Sequence, residues 1–118
     1  MTPREEAFLC QLKLCSDPTA MIVALCQKMR PPEGYDQTRD EYTQYNSWND
    51  AWDAARDAAD STGRNTRWGI ASVEATPGIA GGDSAASLLA GCMVVHDLIA
   101  REHLEFAVSN FLRWIPED

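Results

Sequence analysis

Residues 83–99 read DSAASLLAGCMVVHDLI, and this stretch predicts the fold class. Its apolar residues form one helical stripe and continue around the cylinder beside it: Leu88, Cys92, Val95 and Ile99 in the stripe, then Leu89, Met93, Val94 and Leu98. A helix that is apolar nearly all round belongs at the centre of a protein, covered by other helices. Asp83 suits the cap position at its start.

Start and stop signals divide the chain before this stretch into three more helices. Thr2-Pro3-Arg4-Glu5 is a capping box with proline at the first helical position, and it predicts a helix to about Cys15. Ser16-Asp17-Pro18 starts a second helix, whose apolar positions continue to Met29 before Pro31-Pro32 stops it. The third helix opens with Thr38-Arg39-Asp40-Glu41 and runs to about Ser61, with Gly63 suited to the left-handed position after its end.

The chain after the central stretch predicts one further helix. The apolar stripe shifts phase near His103, because Leu104 follows Ile99 by five residues, so we expect a break at 100–103 and a final helix ended by Pro116. Residues 66–75 read as a short helix or an extended segment, and we favour the helix. Loops are expected near 30–37 and 76–82. Since strand signals are scarce, the 118 residues predict a single all-α domain, a compact bundle of five or six helices.

Composition limits the classes of partner. Asp and Glu number 18 against 10 Lys and Arg, a net charge of -8, which argues against direct binding to nucleic acid or to an anionic membrane. The start of the chain lacks a signal-peptide pattern and no apolar run is long enough to span a membrane, so we expect a cytoplasmic protein, or one in the host cytoplasm if phage-encoded. The four cysteines form no Cys-x-x-Cys pair, which favours buried free thiols over disulfides or zinc.

The excess negative charge is concentrated in one segment. Residues 33–60 carry eight acidic residues against Arg39 and Arg56, a local net charge of -6. Within them, DAWDAARDAAD (50–60) spaces four aspartates by 3, 4 and 3 residues: Asp50, Asp53, Asp57 and Asp60. At about 100° per residue, all four carboxylates fall within about 80° of one helix. The sequence therefore predicts one strongly acidic helix face, with Trp48, Trp52, Ala55 and Ala59 opposite.

Two interpretations of this face remain open. Such a pattern is typical of a plain solvated face on an amphipathic helix. Carboxylates about one turn, roughly 5.4 Å, apart also approximate a row of phosphates and suit the basic groove of a nucleic-acid-binding protein. On the second interpretation the chain is a non-enzymatic inhibitor or adaptor, comparable in charge and size to phage-encoded DNA mimics. Its expected partner-binding residues are Asp36, Asp40, Asp50, Asp53, Asp57 and Asp60.

Other residue patterns allow different chemistry. The pairs Asp50-x-x-Asp53, Asp57-x-x-Asp60 and Glu102-x-x-Glu105 would suit Mg²⁺, which makes a Mg²⁺-dependent hydrolase similar to all-α nucleotide pyrophosphatases the rival hypothesis. His96 and His103 lie about 10.5 Å apart along one helix, too far to share a metal ion without a sharp bend. We therefore expect no bound metal or cofactor.

Several reactive or aromatic residues are expected to have structural roles. Asp97 is expected to pair with Arg101. Burial should leave the Cys92 thiol inert. The aromatic residues of the third and last helices are expected in the core: Tyr42, Tyr45, Trp48, Trp52 and Trp114.

Overall fold

Five α-helices form the regular structure of the described residues. The structure, a computed structural model, describes residues 1–64 and 82–117, and the side chains at 37–45, 82 and 83 are outside that description. The helices are α1 (Pro3–Leu14), α2 (Pro18–Cys26), α3 (Gln37–Thr62), α4 (Gly82–Val94) and α5 (Arg101–Leu112). No strand occurs in these ranges. The all-α prediction is confirmed for them, whereas the predictions for 66–75 and for most of the 76–82 loop lie outside the described residues.

The two N-terminal helices start where the capping signals predict. Thr2 Oγ1 accepts the Glu5 N–H at 3.2 Å, and the Thr2 N–H donates to Glu5 Oε1 at 3.1 Å, which completes the capping box of α1. Asp17 Oδ1 accepts the Ala20 N–H at 3.1 Å and caps α2. These bonds satisfy amides that a helix start leaves without intrahelical partners.

The end of α2 differs from the prediction. The helix ends at Cys26 instead of continuing to Met29. Lys28 and Met29 donate to the carbonyls three residues earlier, and the Arg30 N–H donates to the carbonyl of Trp114 at 2.8 Å. A hydrogen bond between distant backbone segments therefore holds the chain just after α2 ends. Sequence periodicity contains no information about such a bond.

Helix α4 occupies the centre, as predicted. It packs against α2, α3 and α5, while α1 packs against α2 and α5. Its buried side chains include Leu88, Leu89 and Cys92, all with no exposed surface, and Phe111 of α5 joins them in the core. The radius of gyration is 13.2 Å, close to the roughly 13 Å typical of a compact domain of about 100 residues.

The break after α4 comes earlier than predicted. Helix α4 ends at Val94, turns occupy 95–98, and Ala100 is extended before α5 begins at Arg101. The Arg64 guanidinium donates to the Val94 carbonyl at 3.2 Å and so satisfies a carbonyl at the end of α4. The apolar surface predicted beside the stripe does not continue to Leu98, which is 45% exposed. Arg64, just after the end of α3, thus binds the last residue of α4.

Helix α3 is the longest helix. It begins at Gln37, one residue before the predicted Thr38 cap, and Gly63 follows it with φ +72°, as predicted for the left-handed position. Ala51, Ala55 and Ala59 are buried on one side of it. Their small side chains let α3 pack closely against α4 and α5. This packing sets which side of α3 faces solvent.

The C-terminal segment closes against α1 instead of extending α5. Helix α5 ends at Leu112, and turns carry the chain to Pro116, where the prediction extended the helix. The Arg4 guanidinium of α1 donates to the Ile115 carbonyl at 2.7 Å. Trp114 is 3% exposed and meets Tyr35 edge-on with ring centroids 4.8 Å apart. The prediction that Trp114 packs in the core is confirmed.

Candidate functional site: an acidic helix face

Four of the predicted site residues lie exposed on α3. We call Asp50, Asp53, Asp57 and Asp60 the acidic face, and all four are exposed to solvent. The alanine row on the same helix is buried, with Ala51 at 0% exposure. Since the buried row and the aspartates alternate at helical spacing, packing of one side leaves the carboxylates on the other. The predicted clustering of these four residues on one helix side is therefore present.

One arginine partly neutralises the acidic face. Arg56 Nη2 lies 2.8 Å from Asp53 Oδ1, one turn along α3. Both side chains are about three-fifths exposed, so this ion pair contributes little to stability. Among the residues that the structure describes, it is the only ion pair made by the acidic face.

The position of the acidic face along α3 works against local helix stability. Aspartates at i, i+3 and i, i+4 repel each other by a few tenths of a kcal/mol per pair. Asp60 lies in the last turn, where the helix dipole disfavours negative charge, and that turn contains no basic residue. Packing of the alanine row and the high helix propensity of alanine offset this cost. The acidic face is thus maintained by the buried side of the helix.

The two remaining predicted site residues do not join this cluster. Asp36 is exposed just before α3 begins. Fourteen residues separate it from Asp50, which is about 21 Å along a helix axis. Asp40 lies in the first turns of α3, and its side chain is outside the described part. The structure therefore brings together four of the six aspartates.

A stacked tryptophan pair lies on the side of α3 opposite the acidic face. Trp48 and Trp52 have ring centroids 5.2 Å apart and planes 9° from parallel. Both are half-buried and pack against the core, as predicted. Trp48 Nε1 is buried without a hydrogen-bond partner among the described residues. The side chains of Tyr42 and Tyr45, predicted to belong to the same set, are outside the description.

The predicted ion pair between Asp97 and Arg101 is wrong. Asp97 instead binds Arg64 through two hydrogen bonds of 2.6 and 3.0 Å. Arg101 donates to Glu105 at 3.1 Å and to Glu6 of α1 at 2.9 Å. The helix break between 94 and 101 removes the i, i+4 geometry that the prediction assumed.

The two histidines considered for metal binding lie apart, and Glu105 of the Glu102-x-x-Glu105 pair is already in an ion pair. His96 and His103 fall on opposite sides of the break between α4 and α5. Of the pair Glu102-x-x-Glu105, Glu105 is bound to Arg101 and Glu102 is exposed. Within 1–64 and 82–117, no group of three or more His, Cys, Asp or Glu side chains has the arrangement of a metal site.

The four cysteines are free thiols in different environments. Cys26 and Cys92 are buried, and burial raises the pKa of the Cys92 thiol to about 12, which keeps it protonated and unreactive at neutral pH. Cys10 is exposed and Cys15 is half-buried, contrary to the prediction that the thiols are buried. Cys10 falls on the outer side of α1, because Leu9 and Leu12 occupy the side that faces the core.

Two features were not predicted from the sequence. The first is the contact of Arg64 with Asp97 and the Val94 carbonyl. The second is a cleft of about 400 Å³ where the end of α2 meets Pro116, with Lys28 and Arg30 among its lining residues. Both features join segments distant in sequence, so no local pattern indicates them.

In its described residues the chain is an all-helical globule whose longest helix carries an exposed acidic face. No helix among these residues is long and apolar enough to cross a membrane. No protein-family model, curated protein or solved structure matches the chain.

Proposed function

We propose that this chain is a protein-interaction module, an inhibitor or adaptor that docks its acidic face on a basic surface of a partner protein. The observation that supports this most directly is the exposure of Asp50, Asp53, Asp57 and Asp60 on one side of α3, opposite a buried alanine row. A row of carboxylates about 5.4 Å apart suits a surface that evolved to bind phosphates. The partner is then a nucleic-acid-binding protein, and the chain acts as a DNA mimic.

The proposed module is a single non-enzymatic domain. It treats residues 1–118 as one domain, a bundle of five or six helices, and it assigns no catalysis and no cofactor. Binding is to protein, with no direct contact to nucleic acid or membrane, and takes place in the cytoplasm. Asp36 and Asp40 stay among the proposed partner-binding residues as separate carboxylates that precede the acidic face on the chain.

Local energetics support a functional reason for the acidic face. Its aspartates repel one another, and Asp60 lies at the unfavourable end of the helix dipole. Only Asp53 has a counter-charge among the described residues, and that pair is exposed. Solubility depends on net charge and does not require four carboxylates on one side of one helix.

The test compares two variants with equal net charge. In the first, D50N/D53N/D57N/D60N, the acidic face is neutralised. In the second, E6Q/E33Q/E102Q/E117Q, four exposed glutamates elsewhere are neutralised instead. Each variant and the wild type serve as bait for capture of partners from an extract of the source cell, followed by mass spectrometry at increasing salt.

We expect a specific partner to bind the wild type and the glutamate variant but not the aspartate variant. Its retention should fall as salt rises, because exposed charges are screened within about 8 Å at 0.15 M ionic strength. A DNA mimic further requires that duplex DNA displace the purified partner from the chain in a fluorescence-polarisation assay. Equal capture by all three baits would show that the acidic face is only solvated surface.

The rival Mg²⁺-dependent hydrolase makes a different prediction for the same residues. A resident metal would raise the melting temperature on addition of Mg²⁺ or Mn²⁺, since a ligand that binds only the folded state stabilises it. D53N would abolish that shift if Asp53 is a ligand, whereas E33Q would not. A saturable shift with this pattern would replace docking by the hydrolase as the proposed function.

A further inference from the structure

We propose that the cleft between the end of α2 and the C-terminal segment binds a small phosphorylated molecule through Lys28 and Arg30. The cleft has a volume of about 400 Å³ and is lined by Gln27, Lys28, Met29, Arg30 and Pro116. This volume is within the range of small-molecule sites, about 300–1,000 Å³. The proposal is independent of the docking function assigned to α3.

The walls of the cleft are held by contacts from three parts of the chain. The Arg30 N–H donates to the Trp114 carbonyl at 2.8 Å, which ties the loop after α2 to the C-terminal segment. Met29 is 5% exposed, so its side chain anchors the backbone between the two cations. On the other wall, the Arg4 guanidinium donates to the carbonyls of Ile115 and Pro116. These contacts join the loop after α2 and the first turn of α1 to the C-terminal segment.

The two cations in the cleft are available to bind an anion. Acidic residues outnumber basic ones by 18 to 10 over the whole chain. The arginines that pair with a carboxylate include Arg4, Arg56, Arg64 and Arg101. Lys28 and Arg30 form no ion pair with any other described residue. Two neighbouring cations without carboxylates make this cleft a place where an anion is favoured.

The chemistry of the two side chains indicates the class of anion. An arginine guanidinium offers a planar pair of donors that matches two oxygens of a phosphate, and a lysine ammonium adds a mobile point charge. Together they match one phosphate group with two negative charges. Two cations are too few to follow a nucleic-acid backbone, which binding proteins neutralise with many contacts. A phosphate ester of a small molecule is the ligand of matching charge and size.

The same cations have a second physical effect that the test must separate. Lys28 and Arg30 follow the C-terminus of α2, where positive charge complements the helix dipole. Their removal is therefore expected to lower stability slightly, with or without a ligand. Binding must be measured directly, and stability must be measured beside it.

The experiment is a titration with inorganic phosphate followed by amide chemical shifts at pH 7.5, with chloride added to keep ionic strength constant. We expect saturable shifts at 27–30 and at Glu117, and smaller changes elsewhere. The variant K28Q/R30Q should weaken phosphate binding by about tenfold or more, since hydrogen bonds to charged groups each change affinity by about that factor. The control K13Q/R56Q removes two exposed cations elsewhere and should bind phosphate as the wild type does.

Three outcomes would overturn the proposal. The first is that shifts grow linearly with phosphate and spread over all basic residues, which indicates non-specific screening. The second is that K28Q/R30Q lowers only the melting temperature and binds phosphate with unchanged affinity, which means that the two cations act on the helix dipole alone. The third is loss of binding in K13Q/R56Q, which would place the anion elsewhere.

Discussion

At the scale of single residues, Arg64 lowers the pKa of Asp97 and also binds the end of α4. Its guanidinium donates twice to the Asp97 carboxylate and once to the Val94 carbonyl. The hydrogen bonds from Arg64 are the main reason that the pKa of Asp97 falls from 3.8 to about 2. The side chains are 40% and 49% exposed, so solvent screens the pair. The main structural role of these hydrogen bonds is therefore to join the end of α3 to the turn after α4.

The Arg64–Asp97 pair predicts a specific pH dependence of stability. The pKa of Asp97 is lower in the folded chain than in the unfolded chain, so its contribution is present above about pH 4 and is lost as the pH falls toward 2. In R64Q the carboxyl-carbon titration of Asp97 should move back toward 3.8, and the acid limb of the melting temperature should flatten over this window.

The control for that prediction is R56Q. Arg56 pairs with Asp53 on the same helix, and its removal should leave the Asp97 titration unchanged. An Asp97 midpoint near 2 in R64Q would show that another group causes the low pKa.

At the scale of elements, α3 has one buried apolar side and one exposed acidic side. Small buried alanines allow close approach to α4 and α5, while the other side exposes the acidic face. The alanine row therefore fixes the direction in which the carboxylates project. Any residue that pushes α3 away from α4 would disturb both the core and the acidic face.

Enlarging the alanine row should destabilise the fold. Ala55 is 4% exposed, and A55L adds three carbon atoms to a filled interface, which costs about 1–3 kcal/mol of unfolding free energy. Urea unfolding followed by far-UV circular dichroism measures this cost. The matched variant A54L changes the neighbouring residue, which is half-exposed, and should change stability by less than A55L. Equal effects of A54L and A55L would mean that the buried row is not tightly packed.

At the scale of the whole molecule, the net charge of -8 is unevenly distributed. Residues 33–60 hold a net charge of -6, so the remainder of the chain is nearly balanced. In the described part, that remainder forms ion pairs between elements, as Arg101 does with Glu6. Self-repulsion is therefore concentrated on α3.

This distribution predicts how salt affects stability. Screening of the repulsion on α3 should stabilise the wild type as NaCl rises from about 0.01 to 0.5 M. The variant D50N/D53N/D57N/D60N should be more stable than the wild type by about 0.5–1 kcal/mol at low salt, and should respond less to salt. Urea unfolding at several salt concentrations measures both effects.

The glutamate variant E6Q/E33Q/E102Q/E117Q has the same net charge and serves as the control. Because its substituted residues are spread over the chain and two of them form ion pairs, it should gain no stability at low salt. A gain equal to that of the aspartate variant would assign the effect to total charge instead of the acidic face.

The helical class of the described residues, the starts of α1 and α2, and the acidic face could all be predicted from sequence patterns. These features depend on residues within a few positions of one another: Thr2 with Glu5, Asp17 with Ala20, and aspartates at helical spacing. Local hydrogen bonds and helix geometry connect such residues in any helix, so a pattern is enough to predict them.

The packing of the helices sets where α2 and α4 end, which partner Asp97 binds, and that Lys28 and Arg30 line a cleft with Pro116. Each of these depends on a contact between distant segments: Arg30 with Trp114, or Arg64 with Val94 and Asp97. Such contacts exist only after the helices pack, because packing alone sets which side chains from different helices meet. The physical reason for the difference is that periodicity specifies the side of a helix that is buried, but not the residues that it meets there.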